Sequence, residues 1–413
     1  MFAEIITIGD ELLIGQVVDT NSAWMAQQLN KIGIRVKQIT SVSDSAAHIY
    51  KALSEAKERA EVVFITGGLG PTKDDITKSV LLDFFGGELQ INEAALKNVH
   101  AIFEKYKRPV LPANHQQAAV PSSCEVILNL QGTAPGMYFF KDNCHYYSMP
   151  GVPFEMMAMM ENSIIPKLTQ TLNLPSVLHE TILTAGIGES FLADLIETEE
   201  DQLPEHIKLA YLPKLGQVRL RLSAFGFNEQ ELKAELLIHK NKIVDKIGDY
   251  VIALSDINIE EVILNTLLAQ NKTLSTAESC TGGYIGHLLT SIAGSSRVYQ
   301  GGGITYSYEL KESVLGVKSD TLSQTGAVSE ETVTEMVLGA LKAFNSDYAI
   351  ACSGIAGPDG GTPEKPVGTV WIAVASKNKV VAKKYLFGNK RMQNIERTAV
   401  SAFYMLYQLM KDN

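Results

Sequence analysis

A serine in front of two glycines, and a lysine further along the chain, are residue types from which amide hydrolysis can be built. The segment Thr276-Ala277-Glu278-Ser279-Cys280-Thr281-Gly282-Gly283 reads as a strand passing into a helix. A serine at such a junction meets free N–H groups and the positive end of the helix dipole, which stabilise negative charge. That placement suits both a nucleophile and its oxyanion hole. Gly282 and Gly283 let a substrate approach the backbone. The only histidine after residue 260 is His287, several residues into the next helix, so a lysine is the expected base. A desolvated lysine can be neutral at working pH. Thr305-Tyr306-Ser307-Tyr308-Glu309-Leu310-Lys311 supplies one at a helix start, with Tyr306 at the strand end to relay a proton or orient the serine. Cys280 is the rival nucleophile on chemistry alone. Its commoner role, a small buried hydrophobe, fits better.

Glycine-rich segments accompany this trio. Gly294-Ser295-Ser296, Gly301-Gly302-Gly303 and the run from Ser353 and Gly354 to Gly361 are candidate anion nests. A second region lies upstream, in Thr66-Gly67-Gly68-Leu69-Gly70-Pro71-Thr72-Lys73-Asp74-Asp75. Gly67, Gly68 and Gly70 can expose N–H groups to a phosphate, and Asp74 and Asp75 can hold a hard cation. Asp10, Glu11 and Asp44 also follow strand-like runs and are expected at the same edge. The glycines follow the third strand and lack GxGxxG spacing, so this is no dinucleotide fingerprint.

The elements that must position these residues are legible from periodicity. Ala3–Gly9, Ile34–Ile39 and Glu61–Thr66 read as strands, with helices from an Asn21 cap to Leu29 and from Ser45 to Arg59. The β-α-β-α-β order predicts a mainly parallel sheet with its site beyond the strands' carboxyl ends. Residues 171–254 carry strands near Thr181–Thr184 and Val218–Leu222 and a helix over Glu229–Lys246, with no catalytic constellation. Beyond lie a helix over Ile259–Ala269, strands at Thr273–Glu278, Gly303–Ser307, Tyr348–Ser353, Thr369–Ser376 and Val380–Phe387, and helices near 282–292, 330–344 and 391–410. The expected fold is α/β: a mainly parallel three-layer sheet domain (1–170), a small α+β middle domain (171–254) and an α/β domain (255–413).

Composition excludes several classes. The 413 residues exceed one ordinary core. No apolar run approaches the roughly 20 residues that span a bilayer. The N-terminus lacks a signal peptide's basic segment, and Cys124, Cys144, Cys280 and Cys352 have no metal or redox spacing, so a reduced cytoplasmic setting is expected. A net charge of −10 opposes binding of nucleic acid through a phosphate-neutralising surface. From Asp256 onward 14 Lys+Arg face 15 Asp+Glu, so a small anionic substrate is not repelled there.

The C-terminal part resembles the nicotinamide mononucleotide amidohydrolase domain of the competence/damage-inducible CinA family. The resemblance is carried by TAESCTGG (276–283), GSS (294–296), GGGITYS (301–307), GAVSEE (326–331), SGIAGPDGG (353–361) and KPVGTVWIA (365–373). It implies Ser279 as nucleophile, with Tyr306 and Lys311 as its catalytic partners. It also implies a substrate pocket of Thr281, Gly282, Gly283, Gly301, Ser353, Gly354 and the basic Arg391. Tyr308 stands where asparagine is usual. The implied reaction turns the carboxamide of nicotinamide mononucleotide into the acid and ammonia through an acyl-enzyme, with no cofactor.

The N-terminal part resembles the same family's molybdopterin-binding domain through ITIGDELLIG (6–15), DTNS (19–22), TGGLGPTKDD (66–75), GTAPG (132–136) and MPGVP (149–153). This implies either metal-dependent pyrophosphate cleavage of ADP-ribose or binding of a pterin-like phosphate at Gly67, Gly68 and Gly70. A divalent metal ion, alone or with a monovalent ion, would lie among Asp10, Asp44, Asp74 and Asp75. Ser79 stands where glutamate is frequent. The resemblances together imply a bifunctional, homodimeric enzyme of pyridine-nucleotide salvage acting on small nucleotides, with no membrane and no direct nucleic acid. The rivals are a nucleotide- or pterin-phosphate-binding module and a competence accessory factor.

Overall fold

The computed structural model describes residues 1–72 and 74–411. The chain divides into two compact units, one of Met1–Leu178 with Phe225–Leu232, the other of His179–Ala224 with the chain from Lys233 onward.

In the first unit the strands are β1 (Phe2–Ile8), β2 (Arg35–Val42), β3 (Val62–Thr66), the two-stranded pair β4 (Leu89–Ile91) and β5 (Ala119–Pro121), then β6 (Glu125–Ile127), β7 (Gly136–Lys141) and β8 (Cys144–Met149). The main sheet runs β2-β1-β3-β8-β7-β6. Its first four strands are parallel, β7 pairs antiparallel with β8, and β6 pairs antiparallel with β7. Period-two alternation makes it a three-layer domain. Ala3, Ile5, Val62 and Phe64 pack with Met25, Leu29, Met156 and Met159 on one face. Ile6, Ile8, Val63 and Ile65 pack with Ile49, Leu53, Val80 and Leu81 on the other. One cap differs from expectation. The helix Thr20–Lys31 is capped by Asp19, whose carboxylate accepts from Ser22 N at 2.9 Å. Asn21 instead turns inward and donates to Gly151 O at 2.8 Å.

The second unit begins within β9 (Ser176–Ala185) and carries β10 (Ile207–Lys214), most of β11 (Gln217–Gly226) and β12 (Val251–Ala253), whose sheet order is β10-β11-β9-β12. The helices Glu189–Asp201 and Glu229–Ile247 complete this small sheet module. Strands β13 (Leu274–Glu278), β14 (Tyr299–Ile304), β15 (Tyr348–Gly354), β16 (Thr369–Ser376) and β17 (Val380–Leu386) form the next sheet, ordered β14-β13-β15-β16-β17. Alanines 277, 349, 351, 373 and 375 pack with Val333, Met336 and Val337 of the helix Glu330–Ala343 on one face. Leu274, Ile350, Ile372 and Val374 meet the helices Ile259–Ala269 and Arg391–Lys411 on the other. The chain is thus α/β, with a mainly parallel N-terminal sheet, a small middle sheet and a C-terminal α/β sheet domain.

Two elements of the last sheet differ from the periodicity reading. The strand expected at 303–307 runs Tyr299–Ile304, so the three glycines lie inside β14 rather than in an anion-binding loop. Glycine is disfavoured in strands, which made the run look like a turn. Packing overrides that preference, because a Cβ at Gly302 would overlap Thr276 Oγ1 and crowd Tyr299 OH. The helix expected from 282 starts at Tyr284 and ends at Thr290.

Candidate functional site

Ser279 follows the last residue of β13 and is 8% exposed. Its N–H donates to Cys352 O on β15 at 3.1 Å, and its carbonyl accepts from Gly282 N at 3.1 Å. Between it and the helix Tyr284–Thr290 the chain turns through Gly283, the helix cap, at φ +98, a conformation glycine adopts without strain. Gly282 shares the turn, and Thr281 donates from Oγ1 to Glu278 Oε2 at 2.7 Å.

Lys311 comes from the first half of the helix Tyr308–Leu315, whose Ser307 cap accepts from Leu310 N. The lysine is only 1% exposed. Its Nζ lies 3.1 Å from Ser279 Oγ, 2.7 Å from Thr305 O and 3.3 Å from Tyr306 O. Burial pulls its pKa below the ordinary lysine value, while Cys280 and Cys352 act weakly the other way. No carboxylate is among these three partners. Burial without a carboxylate partner disfavours the charged form of the amine.

Tyr306 enters differently from the sequence expectation. Its ring is 59% exposed, and its hydroxyl pairs with Arg391 NH2 at 3.2 Å, while its main-chain carbonyl reaches the lysine. The relay expected of the phenol is not formed here, because the ring turns outward where β14 has already ended. Arg391, which opens the helix Arg391–Lys411, also donates to Gly357 O at 2.9 Å. Ser353 is buried in β15 opposite Trp371, and Gly354 lies where a Cβ would crowd Val370. Gly301 lies in β14, where a Cβ would make only ordinary contact with Phe344. Cys280 is buried in the apolar core, and its hydrogen bond to Cys352 together with burial holds its thiol well above the usual range. A protonated, enclosed thiol is a poor nucleophile.

The expected oxyanion donors are otherwise engaged. The N–H groups of Gly283, Ile285 and Gly286, at the start of the helix, all donate to the carboxylate of Glu278. Glu278 and Thr305, the residues through which the turn and the base are held, were not singled out from the sequence. Their signal was only their place inside TAESCTGG and GGGITYS.

The N-terminal unit holds a cavity of about 410 Å³ between the glycine loop and the segments after β1, β2 and β8. Gly67 and Gly68 line it; a Cβ at Gly67 would overlap Ile8 O, and one at Gly68 would overlap Thr77 Oγ1. Gly70 lies against the Asp75 carboxylate, which accepts from Thr72 N at 2.9 Å. Glu11, Asp44, Asp74, Asp75 and Glu155 line the cavity, and no Lys, Arg or His is among its described lining residues. Asp10 does not line it, but presents its N–H to Asp44 Oδ2 at 3.0 Å. Burial raises the Asp44 pKa; the Asp10 N–H opposes this, and the charges of Asp10, Glu11 and Asp74 add to it. A hydrogen bond from Thr72 lowers that of Asp74. Among the described residues no three acids, histidines or cysteines form a ligand cluster. Lys73, within the loop, lies outside the described residues. Ser79 is turned away, donating to Ile76 O at 2.7 Å.

Glu155 and Gln117 are cavity residues that sequence reading missed. Glu155 accepts from Asn129 Nδ2 at 2.7 Å, and burial raises its pKa. An acid in a helix's first turn after Pro153 looks like ordinary capping, so nothing marked it out.

These sites match three domain models in chain order. A probable molybdopterin binding domain covers residues 4–170, a damage-inducible protein CinA KH domain 179–253, and a CinA C-terminal domain 256–410. A CinA-like protein of Flavobacterium psychrophilum is 46% identical over 415 residues, covering 100% of this chain and 99% of that protein. One from Cytophaga hutchinsonii is 45% identical over 412 residues, again covering 100% and 99%. The chain belongs to the CinA family. A solved structure of competence/damage inducible protein CihA from Agrobacterium tumefaciens is 40% identical, covering 37% of this chain and 93% of its own, with a TM-score of 0.36. The KH match of the middle module was not foreseen from its sequence. Among the described residues no helix is long and apolar enough to cross a membrane.

Proposed function

We propose that the C-terminal site hydrolyses the carboxamide of nicotinamide mononucleotide to nicotinate mononucleotide and ammonia. One observation carries this reading: a fully enclosed Lys311 amine 3.1 Å from Ser279 Oγ, with two main-chain carbonyls as its other partners. An uncharged amine has two N–H groups and one lone pair. With the N–H groups on Thr305 O and Tyr306 O, the lone pair is left for the serine proton. Ser279 Oγ attacks the carboxamide carbon as its proton passes to Lys311 Nζ. Lys311 returns the proton to the departing nitrogen, and ammonia leaves an acyl-serine. Water then attacks the ester, Lys311 takes its proton, and the serine oxygen recovers a proton as the acid departs. Arg391, beside the exposed Tyr306, supplies a cation for the substrate's phosphate.

The pH dependence tests the base. Because Lys311 acts uncharged, kcat/KM for ammonia release rises with pH and levels off above the lysine's apparent pKa. The sign follows from burial, which lowers that pKa, so the plateau arrives below the ordinary lysine value of about 10.4. A rate that falls with rising pH across this range contradicts the assignment.

A second reading concerns the N-terminal cavity, with pyrophosphate cleavage of ADP-ribose as its activity. Five acids line the cavity and oppose a pyrophosphate whose charge is not neutralised. The raised Asp44 pKa reflects partly this crowding of negative charge. A divalent ion fits such oxygen donors when one or two carboxylates hold it and phosphate and water complete its shell. Asp44 and Asp74 would hold it, and it would neutralise charge on the pyrophosphate. Chelation and Asp44→Asn are each expected to stop AMP release from ADP-ribose while leaving ammonia release unchanged. Failure of ADP-ribose to react with any divalent metal would leave a pterin- or nucleotide-phosphate-binding module.

A further inference from the structure

We infer that Glu278 is the positioning residue of the amidase site, locking the Ser279 turn and the Lys311 anchor to one another. This rests on the amidase reading above and adds a residue that contacts neither substrate nor base.

Glu278 is 2% exposed, and no described lysine or arginine pairs with it. Four neutral donors hold its carboxyl group instead. Oε2 accepts from Thr281 Oγ1 at 2.7 Å, Ile285 N at 3.0 Å and Gly283 N at 3.1 Å, and Oε1 accepts from Gly286 N at 2.7 Å. A carboxylate so enclosed is costly unless fully satisfied, and here donors converge from a helix start, where an anion is stabilised. The positions these bonds fix matter most. They tie residues 281–286 to the side chain of the residue that precedes Ser279, so the turn that carries the nucleophile is held from beyond as well as from β13. Thr281 Oγ1 also lies 3.1 Å from Cys352 Sγ, which joins the turn to β15.

The same residue reaches the base through its main chain. Thr305 N donates to Glu278 O at 2.8 Å, and the carbonyl of that same Thr305 accepts from Lys311 Nζ at 2.7 Å. One residue thus fixes the nucleophile through its side chain and the base's anchor through its backbone. The 3.1 Å separation of Ser279 Oγ and Lys311 Nζ depends on both. Because the first helical N–H groups belong to Glu278, they do not serve as the oxyanion hole, and the helix start organises the turn instead.

Removing the carboxylate should therefore slow acylation more than it weakens binding, since displacements of about 1 Å cost on the order of 10²-fold in rate. The test uses the full chain, a fluorophosphonate probe that labels activated serines, and nicotinamide mononucleotide turnover. Glu278→Gln keeps one acceptor oxygen but turns an NH2 towards the Gly286 N–H; Glu278→Ala removes every contact. The labelling rate of Ser279 and kcat should both fall, about tenfold or more for Gln and further for Ala, with KM within about twofold. Thermal melting of each variant separates misplacement from unfolding. If Glu278→Gln melts below the assay temperature, Thr281→Val, which deletes one of the four donors, should show the same kcat-specific loss. Folded variants that label and turn over at the wild-type rate overturn the inference. An unlabelled wild-type serine would instead overturn the nucleophile assignment, and the inference would fall with it.

Discussion

Ser279→Ala is expected to lower ammonia release from nicotinamide mononucleotide by on the order of 10³-fold or more, the scale seen when a covalent nucleophile is deleted. The substitution removes one oxygen from a site otherwise held by main-chain bonds. Ser279 N still donates to Cys352 O, and Gly282 N still closes the turn. Melting should therefore change little, and the loss should appear in kcat. The neighbouring thiol provides the control. Cys280 is packed in the apolar core with its thiol held protonated, so Cys280→Ala should retain a substantial rate. Its cost should fall on stability, through a small cavity. Near-normal turnover by the serine variant, or abolition by the cysteine variant with its fold intact, would reverse the assignment.

Lys311→Met should cost a comparable factor. Methionine fills much of the same buried space without an amine, so Thr305 O and Tyr306 O lose their shared donor and Ser279 loses its proton acceptor. Groups that act as one unit are strongly non-additive, so the Ser279→Ala, Lys311→Met double variant should be little worse than either single variant. Lys311→Arg should not rescue activity, because a guanidinium stays protonated and cannot accept the serine proton. Rescue by arginine would mean that the residue serves as a fixed positive charge rather than a base. Steady-state rates of the four variants, with circular dichroism to establish folding, distinguish these outcomes.

Much of this architecture is legible in the sequence. Strands such as Thr369–Ser376 and helices such as Ile259–Ala269 declare themselves by period and length, and they lie where expected. The shift of β14 was not legible. Three consecutive glycines carry a turn signal locally, and only the closeness of Thr276 and Tyr299 explains them in a strand. Residue types around Ser279 suggested a nucleophile and a lysine base, but spacing alone cannot say which atoms face each other. Tyr306 shows the difference: its carbonyl approaches Lys311, while its phenol pairs with Arg391. Glu278 escaped notice because a buried acid with purely neutral partners leaves no charge pattern in the chain. In the N-terminal unit the acids that follow β1 and β2 gave a usable hint, since Glu11 and Asp44 line the cavity. Glu155 gave none, since its carboxylate is brought there by a helix more than a hundred residues away.

The most direct measurement follows nicotinamide mononucleotide incubated with the purified full chain in excess chelator, recording ammonia and nicotinate mononucleotide together. A neutral lysine and a serine need no metal, so both products should appear in equal amounts, at a rate the chelator leaves unchanged. Activity that vanishes on chelation and returns with added metal would contradict the serine–lysine account, as would ammonia released without the matching acid.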